Sequence, residues 1–430
     1  MRPGHYSLTP AVVRAHAAAL CQQHLRLTDH GPKCTASMLW TILFYAASRI
    51  SSLAAACSNL RQAPSDTAVH DALLATLPQT HELQRRVNRA LQGDLPKALR
   101  RRRQPLAIDL HLVPYHGQPL HDVRELYRSQ AKSGTCSFHA YATAYVIRKG
   151  LRFTVALTWV QRGEALQEVI QRLLRQAAKA SVRPRYLLLD KGFCSVAVIR
   201  YLQAARYPFL MPLPVRGRAL DHPKGPSGSR VFKAYKRSGW SSYTLSDSHK
   251  RRATVSVCVK CRNLRGERGK HGREALLYAY GGGLEPGSYQ WVKETYRSRF
   301  AIETTYRQLQ EARIKTCTRD PLLRLLYVAV ALILRNVWVW LHWQVLAERR
   351  RGGRHVDTNR LTFRTMLLWL QHLAEACLGI RAEIYTKYPL YPTVRSYSRS
   401  FVEIRGRPFH TGQVADPRVR AVVVAPSLGE

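Results

Sequence analysis

Three carboxylates that lie far apart in the sequence have the type and setting needed for metal-assisted phosphate chemistry. Asp109 interrupts an alternating apolar segment, Asp190 directly follows the apolar run 186–189, and Glu303 lies in a segment typical of a helix. An acid in or beside a buried strand is costly, and this chain has only 27 Asp+Glu against 68 Lys+Arg. If the three converge, they can hold two Mg²⁺ ions that activate a water or a 3′-hydroxyl for in-line attack on a phosphodiester. Two unrelated aspartates that cap strand ends are the alternative, which the residues alone leave open.

The segment around Glu303, residues 296–315 (YRSRFAIETTYRQLQEARIK), predicts one amphipathic helix, because it lacks Pro and Gly and is rich in helix formers. Four residues at steps of three, four and seven share one face of such a helix: Tyr296, Arg299, Glu303 and Gln310. This face can serve a metal ion bound to phosphate, although a surface helix with ordinary Arg/Glu pairs has the same pattern. A neighbouring, mostly apolar stripe would seat the helix on a core: Ile302, Tyr306, Leu309 and Arg313.

Two side chains next to the aspartates each have two interpretations. Lys191 follows Asp190 and can contact a phosphate or balance the local charge. His111 shares the strand face of Asp109 and can orient DNA or a metal-bound water, or it can simply be packed, as strand histidines commonly are.

The net charge of +41 and the pI near 10.6 indicate a polyanionic partner, since self-repulsion on this scale opposes a compact state. Double-stranded DNA is the first candidate. An anionic membrane surface is the alternative, and it requires an anchor. The most apolar segment, 322–346, has an uninterrupted run only over 325–334, too short to span a bilayer, and predicts a buried helix. The first twenty residues lack the features of a signal peptide. We therefore expect no membrane association.

The cysteines point to a reducing compartment. There are nine, an odd number at irregular spacing, which argues against a disulfide framework. Cys258 and Cys261 form a lone CxxC, but the alternating pattern around them would direct the two side chains to opposite faces of a strand. A zinc site is the weaker interpretation of this pair.

Residues 1–103 predict a helical domain, for which we expect a DNA-binding role. Short helices over 51–58 and 65–77, separated by a turn at 61–64, can form a helix-turn-helix for the major groove or a plain packing unit. Arg100–Arg103 closes a basic run that can be a solvated linker or an arm that follows DNA phosphates. Neither choice is decided by the sequence.

Residues 104–216 predict the first part of an α/β core. Three antiparallel strands are expected over 106–113, 138–148 and 151–160, the last two joined by a tight hairpin at Lys149-Gly150. Helices over 164–180 and 196–205 alternate with strands over 186–189 and 209–212, and this order implies a parallel addition to the sheet.

The remaining chain predicts three further parts. Residues 217–287 read as a β-rich insertion with strands over 231–235, 240–245, 253–260 and 274–280. Residues 288–348 complete the core. Residues 349–430 hold a basic linker (349–354), a helix (363–378) and a tail.

The three acidic motifs together resemble insertion-sequence transposases of the DDE type, in the branch with the signature Tyr-x2-Arg-x3-Glu-x6-Lys. Tyr296, Arg299 and Glu303 match its first three positions; AIDLHLVPYHG resembles the first acidic motif and gives Asp109, and LLLDKGFCSV resembles the second and gives Asp190. The resemblance covers roughly residues 105–345. It implies an α/β fold with an RNase H-like mixed-sheet core and a β insertion, as the strand order also suggests.

One signature position departs from the family. The lysine position falls on Gln310, and Lys315 comes five residues late. In the family, the tyrosine, arginine and lysine contact DNA phosphates near the transposon end. The resemblance therefore implies phosphate contacts for Tyr296 and Arg299, whereas Gln310 can offer only a neutral hydrogen bond, which is weaker than a charged one.

The resemblance implies a transposase that binds the terminal inverted repeats of its element, cleaves at the ends and joins the 3′-OH ends to target DNA. Asp109, Asp190 and Glu303 would ligate two Mg²⁺, for which Mn²⁺ can substitute. Synapsis of two ends implies a homodimer, and the family implies a prokaryotic, nucleoid-associated protein of the cytoplasm. A nuclease with the same core that performs no strand transfer, and a non-catalytic DNA-binding relative, remain as alternatives.

Overall fold

The structure, a computed structural model, describes residues 7–264, 272–351 and 353–381. Its first hundred residues are helical, as predicted. The helices there are α1 (Pro10–Leu25), α2 (Ala36–Arg49), α3 (Leu53–Asn59), α4 (Asp66–Thr76), α5 (Thr80–Gly93) and α6 (Lys97–Arg100). Ser65 caps α4 by accepting a hydrogen bond from the backbone N–H of Ala68 at 3.2 Å, which explains where that helix begins. α3 and α4 confirm two helices around a turn, and their DNA-reading role stays a prediction.

A mixed sheet follows. Its strands are β1 (Gln104–Pro114), β2 (Tyr127–Lys132), β3 (Thr135–Val146), β4 (Thr154–Val160), β5 (Pro184–Leu189), β6 (Phe209–Pro212), β7 (Gly239–Ser246), β8 (Arg252–Leu264) and β9 (Gly272–Gly281). Within the described residues the strand order is β2-β3-β1-β5-β6-β9-β8-β7, and β4 also pairs with β3. The remaining helices are α7 (Leu166–Lys179), α8 (Val196–Ala204), α9 (Tyr289–Arg297), α10 (Phe300–Glu311), α11 (Pro321–Trp340) and α12 (Phe363–Leu378).

The centre of this sheet confirms the predicted RNase H-like fold class. β3 runs antiparallel to both β1 and β4, whereas β5 is parallel to β1 and β6 is parallel to β5. The helices α7 and α8 connect these strands, and α8 links two parallel neighbours as the sequence order predicts. The predicted hairpin between β3 and β4 is confirmed, with its turn at Lys149-Gly150, where the N–H of Leu151 donates to the carbonyl of Arg148 at 3.0 Å. The strands are shorter than predicted, since β3 ends at Val146 and β4 begins at Thr154.

The strands of the segment 217–287 extend the same sheet. β9 pairs antiparallel with β6, and β8 and β7 follow it outward. The strand predicted over 231–235 is wrong, since Gly228–Ala234 forms a 3₁₀ helix. The described residues from 7 to 380 form one compact unit, and the predicted division of this unit into domains stays a prediction.

The C-terminal part differs from the prediction at one point. The expected linker 349–354 is instead a small antiparallel hairpin of β10 (Glu348–Arg350) and β11 (Gly353–His355). The helix α12 has the predicted bounds. The predicted tail falls almost wholly outside the described residues.

The most apolar helix is a core helix. α11 and the π-helical turn Leu341–Leu346 are long and apolar enough to cross a membrane by composition, with a mean hydropathy of 1.8, but 89% of that window is buried inside the protein. This agrees with the predicted buried helix. In the CxxC pair, Cys258 is fully buried and Cys261 is half-buried, as expected for opposite faces of β8.

Candidate active site

The two aspartates are brought together by the parallel pairing of β1 and β5. Ile108 is the register partner of Leu189 across these strands. Asp109 follows Ile108 within β1, and Asp190 is the first residue after β5. Neighbouring positions on adjacent strands lie about 5 Å apart. The continuous apolar run of β5 therefore sets the position of its terminal acid beside Asp109.

The helix that carries Glu303 is interrupted, so the single helix predicted over 296–315 is wrong. α9 ends at Arg297 and α10 begins at Phe300. The Ser298 hydroxyl donates to the carbonyl of Thr295 at 2.6 Å, and such back-bonding bends helices. α10 ends at Glu311, and Lys315 lies beyond it, with its backbone N–H donating to the carbonyl of Ser51.

Tyr306 fixes α10 on the sheet. Its hydroxyl donates to the backbone carbonyl of Asp109 at 3.2 Å and lies 2.8 Å from the hydroxyl of Thr143 on β3. Its ring packs on His111 with ring centroids 4.9 Å apart. Ile302 and Leu309, from the predicted apolar stripe, are buried. One turn before Tyr306, Glu303 thus faces the strand that carries Asp109.

The three carboxylates converge on one guanidinium, that of Arg299. Its Nη1 lies 3.2 Å from Oδ2 of Asp109, and its Nη2 lies 3.4 Å from Oδ1 of Asp190 and 3.0 Å from Oε1 of Glu303. The Arg299 side chain is only 7% exposed, whereas Asp190 and Glu303 are 44% and 42% exposed. The convergence that the sequence predicted is present, and a buried arginine occupies its centre.

Comparison with known families decides the identity of this core. The transposase DDE domain family matches residues 100–335, more than half of the chain. The matched segment contains all three carboxylates. This chain belongs to the transposase DDE domain family.

A solved structure supports the fold of this DDE protein. The chain is similar to piggyBac transposase, seen in a synaptic complex with hairpin DNA, with a TM-score of 0.51 and 11% sequence identity over 96% of this chain and 88% of that one. At this identity the likeness concerns the fold alone. No curated protein matches the sequence.

Charge at the three carboxylates is not balanced. Arg299 is the only basic side chain in the described part of the chain that forms a salt bridge with any of the three carboxylates. Burial raises the pKa of Asp109 to about 6 against the opposing effect of Arg299, and the nearby Asp190 and Glu303 also raise it. Burial lowers the pKa of Arg299, but Tyr296 and the three carboxylates together hold it above its ordinary value. Three carboxylates and one guanidinium leave the site short of positive charge.

The donor set fits a divalent metal, which DDE transposases generally use. Carboxylate oxygens are the ligands that Mg²⁺ and Mn²⁺ prefer, and two of the three carboxylates are partly exposed to solvent. Within residues 7–264, 272–351 and 353–381, no group of three acidic, histidine or cysteine side chains is arranged around a metal position as it stands. Arg299 lies between the carboxylates, so a metal and this guanidinium compete for the same oxygens.

The other predicted phosphate contacts lie in three different settings. Tyr296 is 7% exposed. The centroid of its ring lies 5.5 Å from the guanidinium carbon of Arg299 and 5.4 Å from the ring centroid of Tyr278. Lys191 is exposed in the turn after Asp190. Gln310 is exposed two turns beyond Glu303 on α10. Their roles stay predictions.

His111 is packed between β1 and α10, which is the simpler of its two interpretations. Its ring packs at a tilt against Tyr306, and burial lowers its pKa to about 4, with Lys132 and Arg313 adding to the effect. A neutral histidine there contributes packing between β1 and α10.

Sequence reasoning missed Tyr306 as the anchor of α10 and Arg324 as a buried cation. Tyr306 was expected only in an apolar stripe, and its hydroxyl contacts depend on the sheet. Arg324 stands out in the sequence only as a charge at the start of an apolar helix. A charged residue at this position of an apolar helix is the signal that could have identified a buried cation.

Proposed function

We propose that this chain is a divalent-metal-dependent transposase that binds the terminal inverted repeats of its element, cleaves DNA at the ends and joins the 3′-OH ends to target DNA. The convergence of Asp109, Asp190 and Glu303 on one point carries the proposal. The net charge of +41 supports DNA as the partner. The protein would act as a homodimer in synapsis, in a prokaryotic cytoplasm at the nucleoid, without a membrane.

In this proposal the three carboxylates hold two Mg²⁺, or Mn²⁺, at the scissile phosphate. A bound divalent ion supplies Lewis-acid activation of the attacking oxygen and stabilises the leaving oxygen. Asp109 is the most buried of the three, at 16% side-chain exposure, and anchors the site from the sheet. Asp190 and Glu303 approach from a loop and a helix.

Arg299 has one role before metal and DNA bind and a second role afterwards. Before metal and DNA bind, it is the counter-ion that keeps three carboxylates together. Its release frees a bidentate donor for a DNA phosphate, the role that the resemblance implies, and Tyr296 below it supports the guanidinium. Lys191 and Gln310 would add phosphate contacts at the edges of the site.

The test uses labelled DNA from the sequences that flank the coding region, a supercoiled target plasmid and Mg²⁺. The wild type should cleave the labelled ends and join them covalently to the plasmid. Asp109→Asn, Asp190→Asn and Glu303→Gln should each abolish both steps while leaving DNA binding in a gel-shift assay largely intact.

Matched controls are Asp221→Asn and Glu285→Gln, which change exposed acids outside the site and should retain activity. Cleavage without joining would favour the nuclease. DNA binding without cleavage by the wild type would favour the non-catalytic relative. Cleavage that survives any of the three site substitutions would refute the site assignment.

A further inference from the structure

A second site lies beside the carboxylates, in a cavity of about 70 Å³ between the end of β1, β3, α10 and α11. Its polar lining is basic or neutral and includes His111, His139, Tyr141, Gln310, Arg313 and Arg324. None of the described residues that line it is acidic. Its character is therefore opposite to that of the carboxylate cluster.

Arg324 is a buried cation without a counter-ion. The residue is 6% exposed, its Nε donates to the carbonyl of Thr318 at 2.7 Å, and its guanidinium carbon lies 4.5 Å from the ring centroid of Tyr115. Among the described residues, no carboxylate forms a salt bridge with it and nothing accepts a hydrogen bond from its terminal nitrogens. A buried charge is normally paired. The terminal donors of Arg324 face a cavity in which a partner is missing.

Two further buried polar groups at the cavity also lack partners. Both ring nitrogens of His139 and the hydroxyl of Tyr141 are buried without a hydrogen bond in the described structure. The β1–β3 register pairs Tyr141 with His111 and His139 with Val113, so both side chains share the face of β3 that lies beside Asp109's face of β1. Burial, and Arg324 in addition, lowers the pKa of His139 to about 3, so its ring is neutral and has one N–H to donate. The cavity thus collects unpaired donors around one buried positive charge.

We propose that this cavity binds a phosphate group of the DNA backbone next to the scissile phosphate. Arg324 and Tyr141 would contact its oxygens from inside, and Gln310 of α10 and Arg313, just beyond that helix, would close over it. The identification of DNA as the source rests on the proposed function. Water molecules in the cavity would satisfy the hydroxyl and the imidazole, but they would leave Arg324 without an anion.

The position suits a neighbouring backbone phosphate. His111 lies two residues beyond Asp109 on the same face of β1, which is about 7 Å along the strand. Successive phosphates of one DNA strand advance about 3.4 Å along the helix axis and lie farther apart than this in space. A strand whose scissile phosphate lies at the carboxylates therefore has a second phosphate within reach of the cavity, one or two nucleotides away.

The first experiment measures binding of inorganic phosphate to the full chain by calorimetry at low ionic strength. Because the whole surface is basic, Arg319→Gln serves as the control: Arg319 is exposed and does not line the cavity. Arg319→Gln should bind phosphate as the wild type does. Arg324→Gln should bind it about tenfold more weakly or worse, as expected for loss of a charge-assisted contact.

If circular dichroism shows that Arg324→Gln does not fold, Tyr141→Phe and Arg313→Gln test the same proposal. Each should weaken phosphate binding by several-fold while the fold is retained. Phosphate affinity equal to that of the wild type in all folded cavity variants, or equal losses in Arg319→Gln, would overturn the proposal.

The second experiment measures DNA binding as a function of salt. Arg324→Gln or Arg313→Gln should reduce the slope of log affinity against log salt by about one, whereas Asp109→Asn should not reduce it. Phosphate binding with an unchanged slope in the cavity variants would overturn DNA as the source. A failure of the proposed function would look different, because phosphate would still bind while the wild type neither cleaved nor joined DNA.

Discussion

The two ends of α10 face opposite electrostatic problems. At its first turn, the guanidinium of Arg299 is shared by three carboxylates. Beyond its last turn, the guanidinium of Arg324 lies at a cavity that has no acidic lining among the described residues. One end is short of positive charge and the other is short of negative charge. A metal ion and a phosphate are the two ligands that would correct these deficits, and a polynucleotide brings them to one place.

Arg335, on the same helix as Arg324, shows what a purely structural buried arginine looks like. It is 2% exposed, and all three of its nitrogens donate: Nε to Gln308 at 3.2 Å, Nη1 to the carbonyl of Arg152, and Nη2 to the Tyr145 hydroxyl at 3.0 Å. The contrast with Arg324 is in the terminal donors. Full pairing indicates a structural role, and unpaired donors at a cavity indicate a binding role.

The largest expected effect tests this contrast directly. Arg335→Met should lower the free energy of unfolding by about 3 kcal/mol or more, because it removes three hydrogen bonds and leaves one buried and two part-buried acceptors without a donor. Arg324→Met should lower it by only about 1 kcal/mol, because it removes one hydrogen bond and a ring contact. Urea denaturation followed by circular dichroism measures both. Equal losses would mean that Arg324 is as structural as Arg335.

The next largest effect concerns the three carboxylates at the first turn of α10. Arg299→Gln should strengthen Mn²⁺ binding in the absence of DNA by about tenfold or more, since it removes a cation that competes for the same oxygens through charge-assisted hydrogen bonds. Electron paramagnetic resonance of free Mn²⁺ during a titration gives the affinity.

Arg297→Gln is the control for that measurement, because Arg297 is exposed at the end of α9 and forms no salt bridge with the three carboxylates in the described structure. Its Mn²⁺ affinity should stay near that of the wild type. Weaker Mn²⁺ binding in Arg299→Gln would mean that the guanidinium organises the carboxylates and does not compete with the metal.

Local patterns predicted much of the core. The continuous apolar run at 186–189, the strand at Phe209–Pro212 and the helix Phe363–Leu378 were evident because each buries an unbroken or strictly periodic set of side chains. The edge strand Tyr127–Lys132 was missed since it is polar and largely exposed. The pairing of β9 with β6 depends on contacts between distant segments, so the sequence could only suggest a separate insertion.

The acidic residues of the candidate site could be predicted from the sequence, but their spatial arrangement could not. Asp109 and Asp190 stood out because a carboxylate beside a buried strand requires a reason. The break at Ser298 lies in a segment whose helix propensity predicts continuity, and the contacts of Arg299 with two distant aspartates exist only in the folded chain. The unpaired state of the buried His139 ring and Tyr141 hydroxyl is likewise a three-dimensional property.

A smaller effect concerns the cavity beyond the last turn of α10, and it is measured as the pH dependence of stability. The pKa of His139 falls from 6.5 to about 3 on folding. Between these values the unfolded chain binds a proton that the folded chain does not, so stability is lost as the pH falls below about 6.5. His139→Gln should reduce the slope of unfolding free energy against pH by up to about 1.4 kcal/mol per pH unit in this range. His249→Gln, at an exposed position, should leave the slope unchanged; an unchanged slope in His139→Gln would show that this ring is not buried as a neutral group.

The smallest expected effect lies at the mouth of the cavity, at the position where the family signature has lysine. Gln310→Lys should add one phosphate contact and raise the salt slope of DNA binding by about one, with a several-fold gain in affinity at low salt. Thr304→Lys adds the same charge on another face of α10 and should change the slope less. Because Gln310 lines the cavity with Arg313 beside it, the gain should disappear in the double variant Gln310→Lys with Arg324→Gln if both side chains bind one phosphate. Independent, additive effects would place lysine at 310 on a different phosphate and separate the signature position from the cavity.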